Sequence, residues 1–365
     1  MDKPLTGLKV VELARILAGP WAGQLLADLG AEVIKVERPG AGDDTRGWGP
    51  PFAADGSAAY FHSCNRGKTS LSIDLASKEG QARVRDLVRD ADIVIENFKV
   101  GGLAAYGLDH PSLAAINPRL IYCSITGFGQ DGPDAGRAGY DFIIQGMGGL
   151  MDLSGEPDGA PQRAGVAVAD LFTGLYASTA ILAALRGREA TGMGCHIDMA
   201  LLDVQVAMLA NQAMNYLVGG DVPHRIGNAH LNIAPYRTFP VADGHVIVAV
   251  GNDAQFRRLC ALLGVAEEGR FATNSGRVQN RAALDALLAP AIALRRRDEL
   301  LAVLAASGIP AGPINDVGEV FADPQVVARR MRIECGGVPG VASPIVIDGK
   351  RQVAERPSPG LGTGE

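Results

Sequence analysis

The chain has 365 residues, 47% of them hydrophobic and 20% charged, enough for a large core and two or three domains of about 100–200 residues. Its 34 basic and 40 acidic residues give a net charge of −6, and no basic run exceeds Arg295-Arg296-Arg297, so nothing argues for a nucleic-acid partner. Glycine, 47 residues or about 13%, follows no G-X-Y period, which excludes a collagen-like rod.

Leu8 to Leu13 reads as an apolar strand, followed by a helix from Trp21 to Leu29 with Pro20 where a first turn tolerates it and Gly30 as its stop. Glu32 to Val36 is a second strand, and a Gly/Pro/Asp loop runs from Pro39 to Pro51. Thr69 to Leu75 alternates with period two, and Ser77 is placed to cap a helix reaching Asp90. Ile93 to Ile95 and Leu120 to Ile125 are further β-branched strands. This alternation predicts an α/β fold, a Rossmann-like parallel sheet with helices on its faces. Two Ala/Leu-rich helices are expected next, Val166 to Gly187 and Met199 to Val218.

Residues 1–219 thus read as the N-terminal part of a large domain and 220–235 as a Gly/Pro/His/Asn-rich linker. Residues 236–310 read as a small α+β domain, with a hairpin about Asp243-Gly244 and helical patterns at 253–264, 281–293 and 298–306. Residues 311–365 read as a return to the large domain. Cys64, Cys123, Cys195, Cys260 and Cys335 stand singly, as reduced thiols do. The start lacks a signal-peptide core, and Leu171 to Leu185 is interrupted and too short for a bilayer, so a cytoplasmic protein without a membrane partner is expected.

Several motifs fail on inspection. Gly67-Lys68-Thr69 imitates a P-loop, but His62 stands where the first glycine belongs, and the following residues alternate as a strand. The turn after the first strand has Gly19 and Gly23 but no G-x-G-x-x-G, so Glu37 at the end of the second strand is weak support for a nicotinamide cofactor. His196 and Asp198 match no metal pattern, and no G-x-S-x-G elbow exists. Asp170, inside VAVADLFTGL, is the exception. It reads either as an N-cap or as a partly desolvated carboxylate at a helix start that could act as a nucleophile, and Gly174 one turn on would let a substrate approach.

Pro4-Leu5-x-Gly7, Ala18-Gly19-Pro20, Leu29-Gly30-Ala31-x-Val33-Ile34-Lys35-Val36-Glu37-Arg38, Gly42-Asp43-x-Thr45-Arg46, Asn65-Arg66-x-Lys68, Glu96-Asn97-Phe98, Gly139-Tyr140-Asp141 and Ala169-Asp170 occur in this order. The chain resembles, over nearly its whole length, the class III (CaiB/BaiF) coenzyme A transferases and the related α-methylacyl-CoA racemases. The resemblance implies a two-domain chain in an interlocked homodimer, acting on an acyl-CoA and a carboxylic acid, with Asp170 as nucleophile and with CoA as substrate rather than cofactor. It further implies that Ile16, Leu17 and Ala18 supply backbone contacts to CoA, that Arg38, Asn97 and Phe98 line its site, and that Arg137 reaches its phosphates.

In the racemases a histidine supplies a base where Tyr140 stands here, and tyrosine accepts protons poorly near neutral pH. In place of the glycine lid of formyl-CoA transferases stands Gly227-Asn228-Ala229-His230-Leu231-Asn232. That stretch looks more like members using succinyl-CoA and dicarboxylates, with His230 and Tyr140 as substrate contacts. A distal carboxylate needs a charge-assisted partner, for which Arg46 is the candidate. The alternatives are a 2-methylacyl-CoA racemase, a non-catalytic acyl-CoA-binding protein in which Asp170 only caps its helix, and, at fold level alone, an NAD-dependent dehydrogenase.

Overall fold

The apolar runs of the N-terminal half assemble into one six-stranded, all-parallel sheet. Its strands are β1 (Lys9–Glu12), β2 (Glu32–Glu37), β3 (Lys68–Ser72), β4 (Ile93–Glu96), β5 (Ile121–Thr126) and β6 (Cys195–Ala200), in the order β3-β2-β1-β4-β5-β6. The computed structural model describes residues 3–364. Val10 is registered with Val33 on one side and Ile93 on the other, so β1 is central. Alternate residues face opposite layers: Val10, Ile93, Ile95, Ile121 and Cys123 join one core, whereas Val11, Val94 and Tyr122 join another. The first layer holds α1 (Ala18–Asp28); the second holds α2 (Lys78–Arg89), which Ser77 caps by accepting the Gly80 N–H. Lys68 opens β3, as its alternation implies, and a P-loop is ruled out by that strand.

Three helices complete the site's scaffold: α3 (Asp141–Met147), α4 (Val168–Thr191) and α5 (Leu201–Met208). The expected helix from Met199 to Val218 is in fact the end of β6, then α5, then a separate helix Ala210–Gly219 after a break at Ala210 with φ 45°. Strand β6 escapes sequence reading because it is a sheet edge, where Cys195, His196 and Asp198 are exposed and no continuous apolar run is needed. Helix α4 is longer than the sequence implied and is long and apolar enough to span a bilayer, yet Ala169, Thr173, Gly174, Ala177, Ser178 and Ile181 are buried in the protein core. Gly174 serves packing rather than substrate access. A Cβ there would lie 2.6 Å from the Ala18 carbonyl oxygen, so glycine is what lets α1 and α4 approach.

The chain divides into two units. The first comprises Met1–Leu150, Arg163–Asp221 and Pro324–Glu365; the second comprises Met151–Gln162 and Val222–Asp323. These limits correct the sequence-based ones. Gly227 N–H donates to the Gly155 carbonyl, which ties 151–162 to the second unit, and β9 (Ala311–Pro313) pairs with β8 (Gly244–Ala249) rather than returning. That unit is a three-stranded antiparallel sheet of β7 (Tyr236–Val241), β8 and β9. Helices Asp253–Leu263, Arg281–Ala293 and Arg297–Ala306 pack on it through Phe256, Leu288 and Leu304. In the first unit, the C-terminal segment lies along β3 and α1: Gly364 N–H reaches the Ser70 carbonyl and Ala354 N–H the Asp28 carboxylate.

Candidate active site

Strand order reverses direction between β1 and β4, and in open α/β sheets the crevice beyond the carboxyl ends at such a point is where ligands bind. Here a cleft of about 430 Å³ opens at that place. The loop after β1 gives it Arg15, Ile16, Leu17 and Ala18, and the loop after β4 gives Asn97, Phe98, Lys99 and Val100. Arg137, Tyr140 and Asp170 complete the wall. Seven residues singled out as CoA or substrate contacts, together with the candidate nucleophile, therefore meet in one cleft: Ile16, Leu17, Ala18, Asn97, Phe98, Arg137, Tyr140 and Asp170.

The two loops are locked together. Asn97 Oδ1 accepts the Arg15 N–H at 2.9 Å, and Asn97 Nδ2 donates to the Arg15 carbonyl at 2.7 Å. Ile16 is held at φ 74°, a conformation that a β-branched residue adopts only when its surroundings impose it. Both Asp43 carboxylate oxygens accept its N–H, at 3.2 and 3.3 Å, and Asp43 is paired with Lys35 at 2.9 Å. Burial alone would raise the Asp43 carboxyl, but Lys35 and the Thr45 N–H and hydroxyl together outweigh it and hold the group below the usual carboxylate range. Beneath the turn, Glu12 receives both Lys35 and Lys68, all three fully buried. A Cβ at Gly23 would lie 1.9 Å from Glu12 Oε2, so a glycine is needed for α1 to pass over this network.

At the rim, Asp44 accepts from Arg15 at 2.6 Å and Arg38 at 2.5 Å. Both guanidinium groups remain about half exposed, so an anion can reach them. Arg38 itself lines an adjoining pocket of about 340 Å³, which shares Arg15, Phe98 and Tyr106 with the cleft. Arg137 pairs with Asp134 and lies over the Phe128 ring.

Asp170 is the third residue of α4, not its N-cap. The cap comes from another helix: Asp141 Oδ1 accepts the Ala169 N–H at 2.9 Å and the Asp170 N–H at 3.4 Å. Asp170 is thereby relieved of the capping role that sequence spacing allowed it, and among the described residues its carboxylate has no hydrogen-bond donor. Burial first, and the Asp141 charge second, push its carboxyl up to about 7. Tyr60 is pushed up to about 12 by burial and then by the Asp170 charge.

Arg46 and His230, the other two predicted substrate contacts, are engaged within their own units. Arg46 is a structural residue: it pairs bidentately with Glu37 at 2.8 and 2.7 Å, donates to the Pro359 carbonyl and stacks on Phe61 at 3.7 Å. Its guanidinium has no direction left for a substrate. His230 belongs to the second unit, where its N–H bonds the Tyr236 carbonyl and its Nδ1 accepts from Asn232. Arg15, Lys99, Tyr60 and Asp141 were not legible in the sequence as site residues. Arg15 had the signal of lying in the loop after β1, and Asp141 that of the Gly139-Tyr140-Asp141 motif, but the N–H groups it caps stand 28 and 29 residues away.

Residues 5–365 match the family described as CoA-transferase family III. The chain belongs to that family. This family III CoA-transferase is 57% identical to the succinate–glutarate CoA-transferase of Agrobacterium fabrum, over 98% of this chain and 93% of that protein. It is 44% identical to the succinyl-CoA:glutarate CoA-transferase of Homo sapiens, with 99% and 84% covered. Among solved structures, a CaiB/BaiF family protein from Brucella suis is 62% identical and superposes with a TM-score of 0.90, covering 99% of this chain and 97% of that one.

Proposed function

We propose that this enzyme transfers CoA from succinyl-CoA to a dicarboxylic acid of glutarate's class, with Asp170 as the covalent carrier. The observation that carries the reading is the Asp170 carboxylate, unpaired and partly desolvated, on the wall of the cleft at the β1/β4 switch point. The relatives' activities supply the substrate class. Arg15, Arg38 and Arg137 stand at the rim for the phosphates of CoA, and the 16–18 and 97–98 loops guide its arm toward Asp170.

The chemistry needs only this carboxylate and the substrates. A carboxylate oxygen of Asp170 attacks the thioester carbonyl of the donor, and CoA leaves as thiolate, giving a mixed anhydride. The thiolate attacks the Asp170 carbonyl, succinate departs, and an aspartyl-CoA thioester remains. The acceptor carboxylate attacks that thioester, and the released thiolate then takes the new acyl group and frees Asp170. Partial desolvation favours the first step, because a poorly solvated carboxylate is the stronger nucleophile.

Racemisation is the weaker reading, since Tyr140 stands where the racemases carry a histidine, and no histidine lines the cleft among the described residues. Succinyl-CoA is offered to a panel of mono- and dicarboxylic acids, with CoA products read by mass spectrometry. Glutarate and its neighbours in length are expected to be converted and simple monocarboxylates poorly. Deuterium uptake at the α-carbon of a 2-methylacyl-CoA in the absence of any acceptor would support the racemase instead.

We also infer a homodimer. The first unit carries a groove of about 1050 Å³ lined by Trp21, Leu25, Phe52, Leu171, Val338 and Val341, and Phe142 on α3 and Phe172, Leu175 and Tyr176 on α4 are exposed, large apolar groups of the kind that a second copy of the chain would cover. Sedimentation analysis is expected to give twice the 38.0 kDa chain mass; a single-chain mass at micromolar concentration would reject it.

A further inference from the structure

Helix α4 begins without help from its own N-cap, Ala167. The acceptor at its start is Asp141, only 8% exposed, and that carboxylate is itself held: Gln145 Nε2, one turn along α3, donates to Asp141 Oδ2 at 2.7 Å. Gln145 is fully buried, and its Oε1 accepts the Ala164 N–H at 2.9 Å, which joins the segment entering α4 to the same clamp. One carboxylate thus fixes the N–H groups of Ala169 and Asp170, and so the backbone from which the Asp170 side chain projects into the cleft.

The cap also carries charge. A negative group already placed on the helix N-terminus uses the partial positive charge that would otherwise stabilise an ionised Asp170. It repels that ion across a low-dielectric gap. When Asp170 becomes an anhydride or a thioester its charge is gone, and so is the repulsion. Resting on the carrier role proposed above, we propose that Asp141, clamped by Gln145, is a positioning residue that aims Asp170 and biases it from the free carboxylate toward its uncharged covalent forms.

Other groups around Asp170 do not duplicate this. Tyr60, in the short helix Ala59–His62, feels the Asp170 charge as a neutral phenol, and Arg15, Lys99, Arg137 and Tyr140 line the cleft with Asp170. The packed helix α5 carries one ionisable residue, Asp203, which is exposed.

The test is Asp141→Asn in the full-length enzyme: the amide oxygen can still accept the two N–H groups, while the charge is lost together with the bond from Gln145 Nε2, and the Gln145 variant below isolates the loss of that bond. With succinyl-CoA and no acceptor, the fraction of Asp170 trapped as covalent adduct is measured by peptide mass spectrometry across pH 5–9. The expected result is an adduct fraction several-fold lower at pH 8, and a midpoint in kcat/KM shifted to lower pH. An unchanged midpoint and adduct fraction in a folded variant would overturn the electrostatic role. Gln145→Met keeps the charge but releases its orientation, and is expected to lower kcat several-fold at unchanged KM with the midpoint in place. Wild-type kcat in that variant would overturn the positioning role, and it decides the matter if D141N does not fold. Absence of any adduct in the wild type would instead reject Asp170 as carrier, a distinct failure.

Discussion

Replacing Asp170 by asparagine should abolish transfer and at the same time stabilise the protein above pH 7. The carboxyl is raised from 3.8 to about 7 in the folded state by burial and by Asp141. Between these values the native state binds more protons than the unfolded state, so the wild type loses stability as pH rises through that window. A shift of roughly 3 units corresponds to about 4 kcal/mol at pH 8 as an upper bound, of which about 1.5 kcal/mol has already been lost at pH 5. Losing a favourable contact with the α4 dipole subtracts about 0.3–1 kcal/mol for a charge in the first turn. No cap is lost, because Asp141 keeps its bonds to the Ala169 and Asp170 N–H groups. Urea unfolding at pH 5 and pH 8 should show Asp170→Asn more stable by about 2–4 kcal/mol at the higher pH, with the gap narrowing at the lower. A variant no more stable than wild type at pH 8, or a gap independent of pH, would refute the idea that this carboxylate is held against a desolvation cost.

The same carboxyl sets the pH dependence of the chemistry: the ionised form attacks, so adduct formation should climb with pH and reach half its plateau near 7, measured by rapid quench. Arg46→Ala should lower stability by about 3 kcal/mol, since it leaves the buried Glu37 without its ion-pair partner, while the ratio of KM values for a dicarboxylate and a monocarboxylate stays fixed. Thermal melts and a two-substrate KM comparison check it. Gly174→Ala should cost about 1–3 kcal/mol by forcing α1 from α4, visible as a lowered urea midpoint with unchanged chemistry in the folded fraction.

The central sheet was legible because β1, β2, β4 and β5 are largely buried and carry Val/Ile-rich stretches, which still show in β1 and β2 although Glu12, Lys35 and Glu37 are buried charges there. Edge strand β6 faces no such demand, and the polar alternation of Cys195–Ala200 hid it. Asp170 stood out as a charge among apolar residues, but whether it capped its helix or served as a free carboxylate depended on Asp141, a contact that no local pattern records. Arg46 was misread for the converse reason. A loop arginine looks available until Glu37, nine residues back at the end of β2, is seen to hold it in both directions. The alternation of strands and helices implied a parallel sheet but not the strand order that places the cleft, and its rim residue Arg15 and the tie from Asn97 needed the two loops side by side.

The most direct test of the central claim is to find where covalent chemistry occurs. The enzyme is incubated with succinyl-CoA and no acceptor, treated with hydroxylamine or borohydride, digested and analysed by mass spectrometry. The peptide holding Ala169-Asp170-Leu171 should carry a hydroxamate or an alcohol on Asp170, and activity should be lost in proportion. Robust turnover with that peptide unmodified under both reagents would contradict a carrier at Asp170 and require direct transfer between the two bound substrates.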